Sequence, residues 1–504
     1  MPTEAVTLPF KPESLTTIPS SHLSFKGGNL LPHYDVLIVG SGVGYGLARK
    51  TSAKGLKTAL VDRDPPGGTC PNRGCIPSKI WITVADKIRE AEQLTSIGVE
   101  MTLDSVDFCT IRDRTQDWIK GGQAHKRTYI ENDDNIDFYE GEVAEFTGMK
   151  ALRVGTTEIT ADKVVIASGS RPVIPPVEGL EEAGYLTNRN VFDIERLPGS
   201  IIIIGGGYIA VEFAHFFSAL GTNVTLIGRN SRLVPKADED VSEAILKGIS
   251  RYVDVRTDHE VLSVAMEENL KVVTATDGAT GDEVRFAAHE IMVATGRRSN
   301  ADMLRPEVTG VEVDGRGWIV TDHHLATNVE GIWAMGDAVN RGQFRHTADM
   351  HSRILFINAF TEEHRHLDEH AIPNAVFTWP QVGSVGMTEA QVKEAGLHYH
   401  HSKMMYKDVS KGYALGEEEG FIKVLVEADT DRILGAHMVG PEAATLIQQI
   451  VFVMNAGDGS LEPFRWSQVI HPTLSEVVSW VFLSLHHPED DPMSELGEHV
   501  GANR

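Results

Sequence analysis

Cysteine is scarce in this chain, with three residues in 504. That excludes a fold stapled by disulfides and fits a reducing compartment, where a disulfide that does form is more often catalytic than structural. Apolar runs are short as well. No stretch approaches the roughly 18 residues of a membrane span and none forms a secretory core, so the chain reads as soluble and cytoplasmic, without a membrane partner. Positive charge is in deficit, with 46 Lys and Arg against 71 Asp and Glu and a net charge of −25. Binding a phosphate backbone needs a basic face that this composition does not supply, which argues against nucleic acid as a partner. A four-ligand zinc site is disfavoured too, because Cys109 is remote from the other two cysteines and no histidine pair stands near them. The chain does not lack length: it exceeds one ordinary core and predicts roughly three or four domains.

The other two cysteines stand in Gly67-Gly68-Thr69-Cys70-Pro71-Asn72-Arg73-Gly74-Cys75-Ile76-Pro77-Ser78-Lys79. This is the spacing of a redox pair. Ile76-Pro77-Ser78-Lys79 can open a helix, because proline is tolerated in a first turn. A thiolate at Cys75 then faces the positive end of that helix, which lowers its pKa below the free value of about 8.5, and Lys79 adds a positive charge one turn on.

Upstream, Tyr34 to Gly46 is an apolar run breaking into glycines, and a helical stretch and a second apolar run, Thr58 to Asp62, complete a βαβ outline. Gly40 and Gly42 let the backbone approach a pyrophosphate at the helix N-terminus, and Asp62 ends the second strand where an acid bonds ribose hydroxyls. The third glycine place of this fingerprint falls on Tyr45, a position that packs helix against strand. A second fingerprint, Ile201 to Ala214, is better formed: Gly205, Gly207 and Ala210 match GxGxxA, and four isoleucines suit a strand buried on both faces. Two fingerprints imply two nucleotides. After the next strand the chain reads Gly228-Arg229-Asn230-Ser231-Arg232. No acid awaits an adenosine 2'-hydroxyl there, while Arg229 and Arg232 offer guanidiniums to a 2'-phosphate, so the expectation leans to NADP(H).

Helices are predicted over Trp81 to Gln93 and Asp113 to Tyr129, with a strand at Asp137 to Gly141. Pro175, Pro176 and Gly179 mark a boundary. A new domain begins near Ile372, with Thr388 as a helix N-cap, paired strands at Phe421 to Glu427 and Arg432 to Gly440, and a helix over Glu442 to Ala456. Near its end, His471 precedes Glu476 by five residues. Alone this is an ordinary surface histidine; beside a cysteine pair it offers a base for the attacking thiol and an acid to orient the imidazole.

Together the cysteine run, the two fingerprints and the His471 to Glu476 run resemble the class I pyridine nucleotide-disulfide oxidoreductases, which include dihydrolipoyl dehydrogenase, glutathione reductase and mycothione reductase. The resemblance covers about residues 34 to 485. It implies an α/β fold of two Rossmann-like domains, for FAD and NAD(P), plus a C-terminal α+β dimerisation domain. The expected division is an irregular arm over 1–33, the first FAD segment with the redox disulfide over 34–180, an NAD(P) domain over 181–295, a returning FAD segment over 296–371, the dimerisation domain over 372–486 and a polar tail over 487–504. By this resemblance Cys75 lies next to the flavin, Cys70 exchanges with substrate, and Lys79 and Glu212 form an ion pair beside the flavin. His471 and Glu476 serve the other subunit's cysteines in a homodimer. Asp337 binds the ribitol of FAD, and Gly68, Thr69, Lys79, Ser168, Gly169 and Gly296 also belong to the cofactor sites. The expected function is a dihydrolipoyl dehydrogenase-like, FAD-dependent NAD(P)-disulfide oxidoreductase, passing reducing equivalents to or from a small-molecule or protein-bound disulfide or dithiol. An NADPH-dependent low-molecular-weight disulfide reductase of the mycothione or glutathione type, and a flavin and thiol redox sensor without turnover, remain alternatives.

Overall fold

The computed structural model describes residues 23–26 and 29–487. The first part of the expected arm, 1–22, and the tail from 488 onward lie outside the described residues. Strand β1 (Leu23–Lys26) pairs antiparallel with β2 (Asn29–Val39), from Leu23 opposite Pro32 to Lys26 opposite Asn29. The first fingerprint strand therefore begins at Asn29, before the expected Tyr34, and the end of the expected irregular arm is extended backbone whose polar groups this ladder satisfies.

From β2 the chain enters helix α1 (Gly44–Ala53) and returns as β3 (Thr58–Asp62), parallel to β2. The short helix α2 (Thr69–Arg73) leads into α3 (Cys75–Gln93), then come α4 (Phe108–Glu131) and strand β4 (Ile136–Glu140) beside β3. Both long helices extend beyond the apolar stretches that predict them. Asp107 accounts for the earlier start of α4, its side chain accepting the Thr110 N–H at the N-terminus. The strand Thr157–Ile166 runs parallel to β2 on its other side, and Ile332–Ala334 joins that strand in parallel, so a segment remote in sequence closes the sheet.

A second sheet is parallel throughout, in the order Asp254–Arg256, Asn223–Ile227, Ser200–Ile204, Glu290–Val293. Its central isoleucines, 201 to 204, are all buried, as a strand covered on both faces requires. The C-terminal part is a five-stranded antiparallel sheet ordered Pro373–Val376, Val382–Gly386, Ile433–Val439, Phe421–Glu427, Tyr399–Met405, with the helix Ala443–Met454 against it. Thr388 does cap its helix, forming a capping box with Gln391.

The packing of α3 on the helix Tyr208–Ala219 fixes the redox loop relative to the second dinucleotide fold. Trp81, fully buried, stacks on Phe216 at 4.5 Å and meets Phe192 edge-on at 4.9 Å. A buried aromatic of this size contributes roughly 4–6 kcal/mol of burial. Polar crosslinks flank it: Lys79 to Glu212 at 2.7 Å, His215 to Asp86 at 2.9 Å and Arg89 to Ser218 at 3.1 Å. Farther out, the buried Lys423 ammonium meets Asp238, Asp240 and Glu389 at 2.9, 2.6 and 2.6 Å, tying the C-terminal sheet to the helix Glu239–Ile249.

Candidate active site

One cavity is lined by both fingerprint glycines, Gly40 and Gly42, by Asp62, Gly68, Thr69, Cys70, Cys75, Lys79, Ser168, Gly169 and Asp337, and by Tyr208 and Glu212 from the second unit. The sequence scatters these residues over nearly three hundred positions; the β2-centred sheet gathers them at the C-terminal ends of its parallel strands, where such sheets bind ligands.

Glycine is required at the strand ends. Gly40 has φ +108°, and a Cβ there would lie 2.1 Å from the Ala167 carbonyl oxygen; Gly205, at φ +138°, would meet the Ala294 carbonyl oxygen at 2.3 Å. The two units thus repeat one turn. Helix–strand closeness in the first unit comes from Gly44, whose Cβ would stand 2.7 Å from Ile38 Cγ2. Tyr45 does not interrupt it, because its half-buried ring packs edge-on against Tyr129 at 6.1 Å.

Asp62 accepts hydrogen bonds from the Ser41 N–H at 2.7 Å, the Ser41 hydroxyl at 2.6 Å and the Asp64 N–H at 2.9 Å. Burial raises its pKa, and the Ser41 bonds pull the other way. Asp337 accepts the Ser170 hydroxyl at 2.7 Å, with Arg297 Nε 3.9 Å from the same oxygen. Ser168 Oγ is buried on this cavity without a hydrogen-bond partner. A buried hydroxyl left unpaired is costly, and together with the glycine-lined floor it fits a polar, phosphate-bearing cofactor. Gly40 and Gly42 would face the pyrophosphate of FAD, and Asp62, Ser168 and Asp337 would hold its hydroxyl-bearing portions.

Cys70 lies in α2 and Cys75 is the first residue of α3, both as free thiols on the same cavity. Interaction with the Cys70 thiol lowers the pKa of Cys75; desolvation of the cavity-facing sulfur opposes this, although the residue as a whole is exposed, and the Lys79 ammonium reinforces it. The Cys70 pKa is raised, by the same interaction and by burial. Lys79 Nζ also sits 4.6 Å over the Phe377 ring, and Glu212, buried, accepts the Phe377 N–H at 3.0 Å.

The remaining expected site residues stand apart. Gly205, Gly207 and Ala210 form the turn of the second sheet, Ala210 fully buried, and do not line this cavity. Gly296, at φ +123°, leads into Arg297, which does. Arg229 is exposed and makes no ion pair among the described residues; Arg232 pairs with Glu239 at 3.0 Å. His471 Nδ1 is 2.7 Å from Glu476 Oε1, and Glu476 Oε2 accepts the Thr473 N–H at 3.2 Å. The glutamate is 1% exposed and the His471 side chain 66% exposed, outside the lining of the cysteine cavity.

Family models match nearly all of the described chain: pyridine nucleotide-disulphide oxidoreductase over residues 34–352 and its dimerisation domain over 372–482. The chain belongs to this family. It is 34% identical to the mycothione reductase of Mycobacterium tuberculosis over 463 residues, covering 90% of this chain and 99% of the relative. To dihydrolipoyl dehydrogenase 3 of Haloarcula marismortui it is 30% identical over 465 residues, with coverages of 90% and 96%. The copper(II) complex of the HOCl-induced flavoprotein disulfide reductase RclA of Escherichia coli superposes with a TM-score of 0.79 at 28% identity, covering 90% of this chain and 99% of that one. Like its family, the protein is a FAD-dependent NAD(P)-disulfide oxidoreductase. FAD, when bound, carries reducing equivalents between the nicotinamide and the disulfide. No helix among the described residues is long and apolar enough to cross a membrane.

Several residues of this site escape sequence reasoning. Ser41 sits inside the fingerprint at a place any small residue fills, yet it supplies two of the three bonds to Asp62. Ser170, Arg297 and Phe377 act through contacts 127 to 167 residues long, for which local pattern holds no signal. Arg345, on the same cavity, opens a helix that no local motif marks.

Proposed function

We propose that Cys70 and Cys75 are the redox pair of this oxidoreductase, in a dihydrolipoyl dehydrogenase-like reaction on a small-molecule or protein-bound dithiol or disulfide. The observation that carries the reading is Cys75 at the start of α3 with Lys79 one turn on, both on the cavity floored by Gly40 and Gly42. The Lys79 and Glu212 pair keeps a fixed cation where negative charge develops, and such preorganised charge lowers the barrier. Two electrons and one proton convert the disulfide to one thiol and one thiolate. Cys75 keeps the charge, and Cys70 exchanges with substrate once its proton is taken up.

That proton goes to His471 of a second copy in a homodimer. Within one chain His471 lies outside the cysteine cavity, while Glu476 holds its Nδ1 and leaves Nε2 outward. Exposed Phe452, Trp466 and Ile470 belong to the same C-terminal region, the kind of apolar surface that another protomer covers. The missing acid after Ile227 and the exposed Arg229 favour NADP(H). A dithiol chemistry with few other cysteines suits the cytoplasm.

The test is a panel of lipoamide, glutathione disulfide and mycothiol disulfide, each with NADPH and NADH. Sustained oxidation with lipoamide supports the reading. Turnover confined to a low-molecular-weight disulfide with NADPH replaces it by a reductase of that type, which the Gly228-Arg229 strand end also favours. Flavin reduction without turnover on any disulfide would make the protein a sensor.

A further inference from the structure

The reduced pair holds one negative charge between two sulfurs. Where that charge sits decides the chemistry: on Cys75 it faces the cofactor side, and on Cys70 it attacks a substrate disulfide. Lys79, one turn along α3 and anchored by Glu212, draws it toward Cys75.

Two further cations stand by the redox loop, and Arg345 interacts with both sulfurs, with Cys70 ahead of Cys75. Arg345 is the first residue of the helix Arg345–Phe360 and lines the same cavity as Cys70. Its Nε is 3.0 Å from each oxygen of Asp349, one turn on in the same helix, in a pair whose side chains are about two-fifths exposed. α4 brings Lys126 to the redox loop: a Cβ on Gly67 would meet Lys126 Cε at 3.2 Å, Lys126 Nζ at 3.4 Å and Pro71 Cγ at 2.9 Å, and Pro71 comes directly after Cys70. Lys126 donates to the Gly122 carbonyl at 3.1 Å and has no carboxylate partner among the described residues. Burial is the main cause that lowers its pKa, with the Arg345 charge adding to it and Cys70 opposing. For Cys70, the interaction with Cys75 and burial push the pKa up, Arg345 pulls it down, and Asp349 offsets part of that. A cation beside a thiol favours its thiolate.

We propose that Arg345 and Lys126 form a cationic counterweight to Lys79, drawing the single negative charge of the reduced pair toward Cys70 and so poising Cys70 for exchange. Both are positioning residues, acting through the sulfur. The inference rests on reading Cys70 as the exchanging thiol.

The experiment uses the holoenzyme reduced anaerobically with one equivalent of NADPH. Iodoacetamide alkylation is monitored against pH, with the label located by peptide mass spectrometry, and the long-wavelength absorbance of the Cys75 thiolate against the flavin is recorded alongside. In each labelling event a thiolate forms the carbon–sulfur bond and iodide leaves. The wild-type label falls on Cys70. In Arg345→Gln the alkylation midpoint rises by about one pH unit, so that labelling at pH 7 slows about tenfold, while the long-wavelength absorbance strengthens as charge remains on Cys75. Lys126→Gln moves both readouts in the same direction by less, and Arg345→Lys restores them. Unchanged midpoint and absorbance in both glutamine variants overturn the inference. A wild-type label on Cys75 instead overturns the assignment of Cys70 beneath it. If Arg345→Gln fails to retain flavin, Lys126→Gln decides, since Lys126 lies outside the cavity lining.

Discussion

Glu212 accepts the backbone N–H of Phe377 through Oε1 at 3.0 Å while its Oε2 holds the Lys79 ammonium at 2.7 Å. One buried carboxylate thereby joins the redox helix, the second dinucleotide fold and the start of the C-terminal sheet. Its two oxygens are both engaged, so the charge is paired although it is out of water.

Lys79→Met leaves that carboxylate without its cation. Removing the cation from a buried carboxylate, with the Lys79 side chain itself 30% exposed, costs about 1–3 kcal/mol, to be seen as a lowered denaturant midpoint of the holoenzyme. The double variant Lys79→Met/Glu212→Gln should recover much of the loss. A single variant as stable as wild type would mean that the pair contributes no stability.

Two-electron reduction without excess nicotinamide should give a long-wavelength band from the Cys75 thiolate against oxidised flavin. Cys75→Ser should abolish the band while flavin stays bound. A variant that keeps it would show that Cys75 is not the flavin-side sulfur.

Gly228→Glu should shift preference toward NADH. The backbone tolerates the change, because a Cβ at Gly228 would contact Gly206 Cα at 3.5 Å, an ordinary van der Waals distance. A 2'-phosphate gains charge-assisted bonds from guanidinium that are roughly twice as strong as neutral ones, and an acid at this place repels it. A wild-type enzyme that strongly prefers NADH would reduce Arg229 and Arg232 to surface charges.

Acid should loosen the junction around Lys423. The Glu389 pKa is lowered to about 2: burial opposes this, and the Lys393 and Lys423 ammoniums with the Tyr399 hydroxyl outweigh it. Its folded value lies below the ordinary value of 4.5, so its contribution is complete above about pH 4.5 and is lost as pH falls toward 2. Lys423→Met should melt lower at pH 7 and show a shallower fall in Tm between pH 5 and pH 2. Parallel pH profiles for the two proteins would refute this.

Inactive Cys70→Ser protomers mixed with inactive His471→Ala protomers should regain activity on subunit exchange, since one heterodimer site then combines wild-type Cys70 from one chain with wild-type His471 from the other. A mixture that stays inactive despite verified exchange rules out a shared site.

Much of the architecture is legible in local pattern. Glycines 40 and 205 announce their turns because no other residue fits a positive φ pressed against a neighbouring carbonyl. Isoleucines 201 to 204 announce a strand buried on both faces, and Thr388 its helix, because each feature is decided within a few residues of chain. The placement of Cys75 at a helix start is set in the same way by its own neighbours.

What the sequence by itself determined was therefore the inventory: two dinucleotide turns, a cysteine pair leading into a helix and a histidine with an acid five residues on. Only the tertiary structure decided their mutual arrangement. It assigned the close packing of the first unit to Gly44, where the motif pointed to Tyr45, because the contact is with Ile38 across the strand. It gave both oxygens of Asp62 local partners, brought Arg297 to Ser170 and Asp337, and set Arg345 on the cavity of Cys70. It also left His471 outside that cavity within its own chain. Such contacts depend on how whole elements pack, and a hydrogen bond between residues more than a hundred positions apart leaves no periodic trace in either neighbourhood.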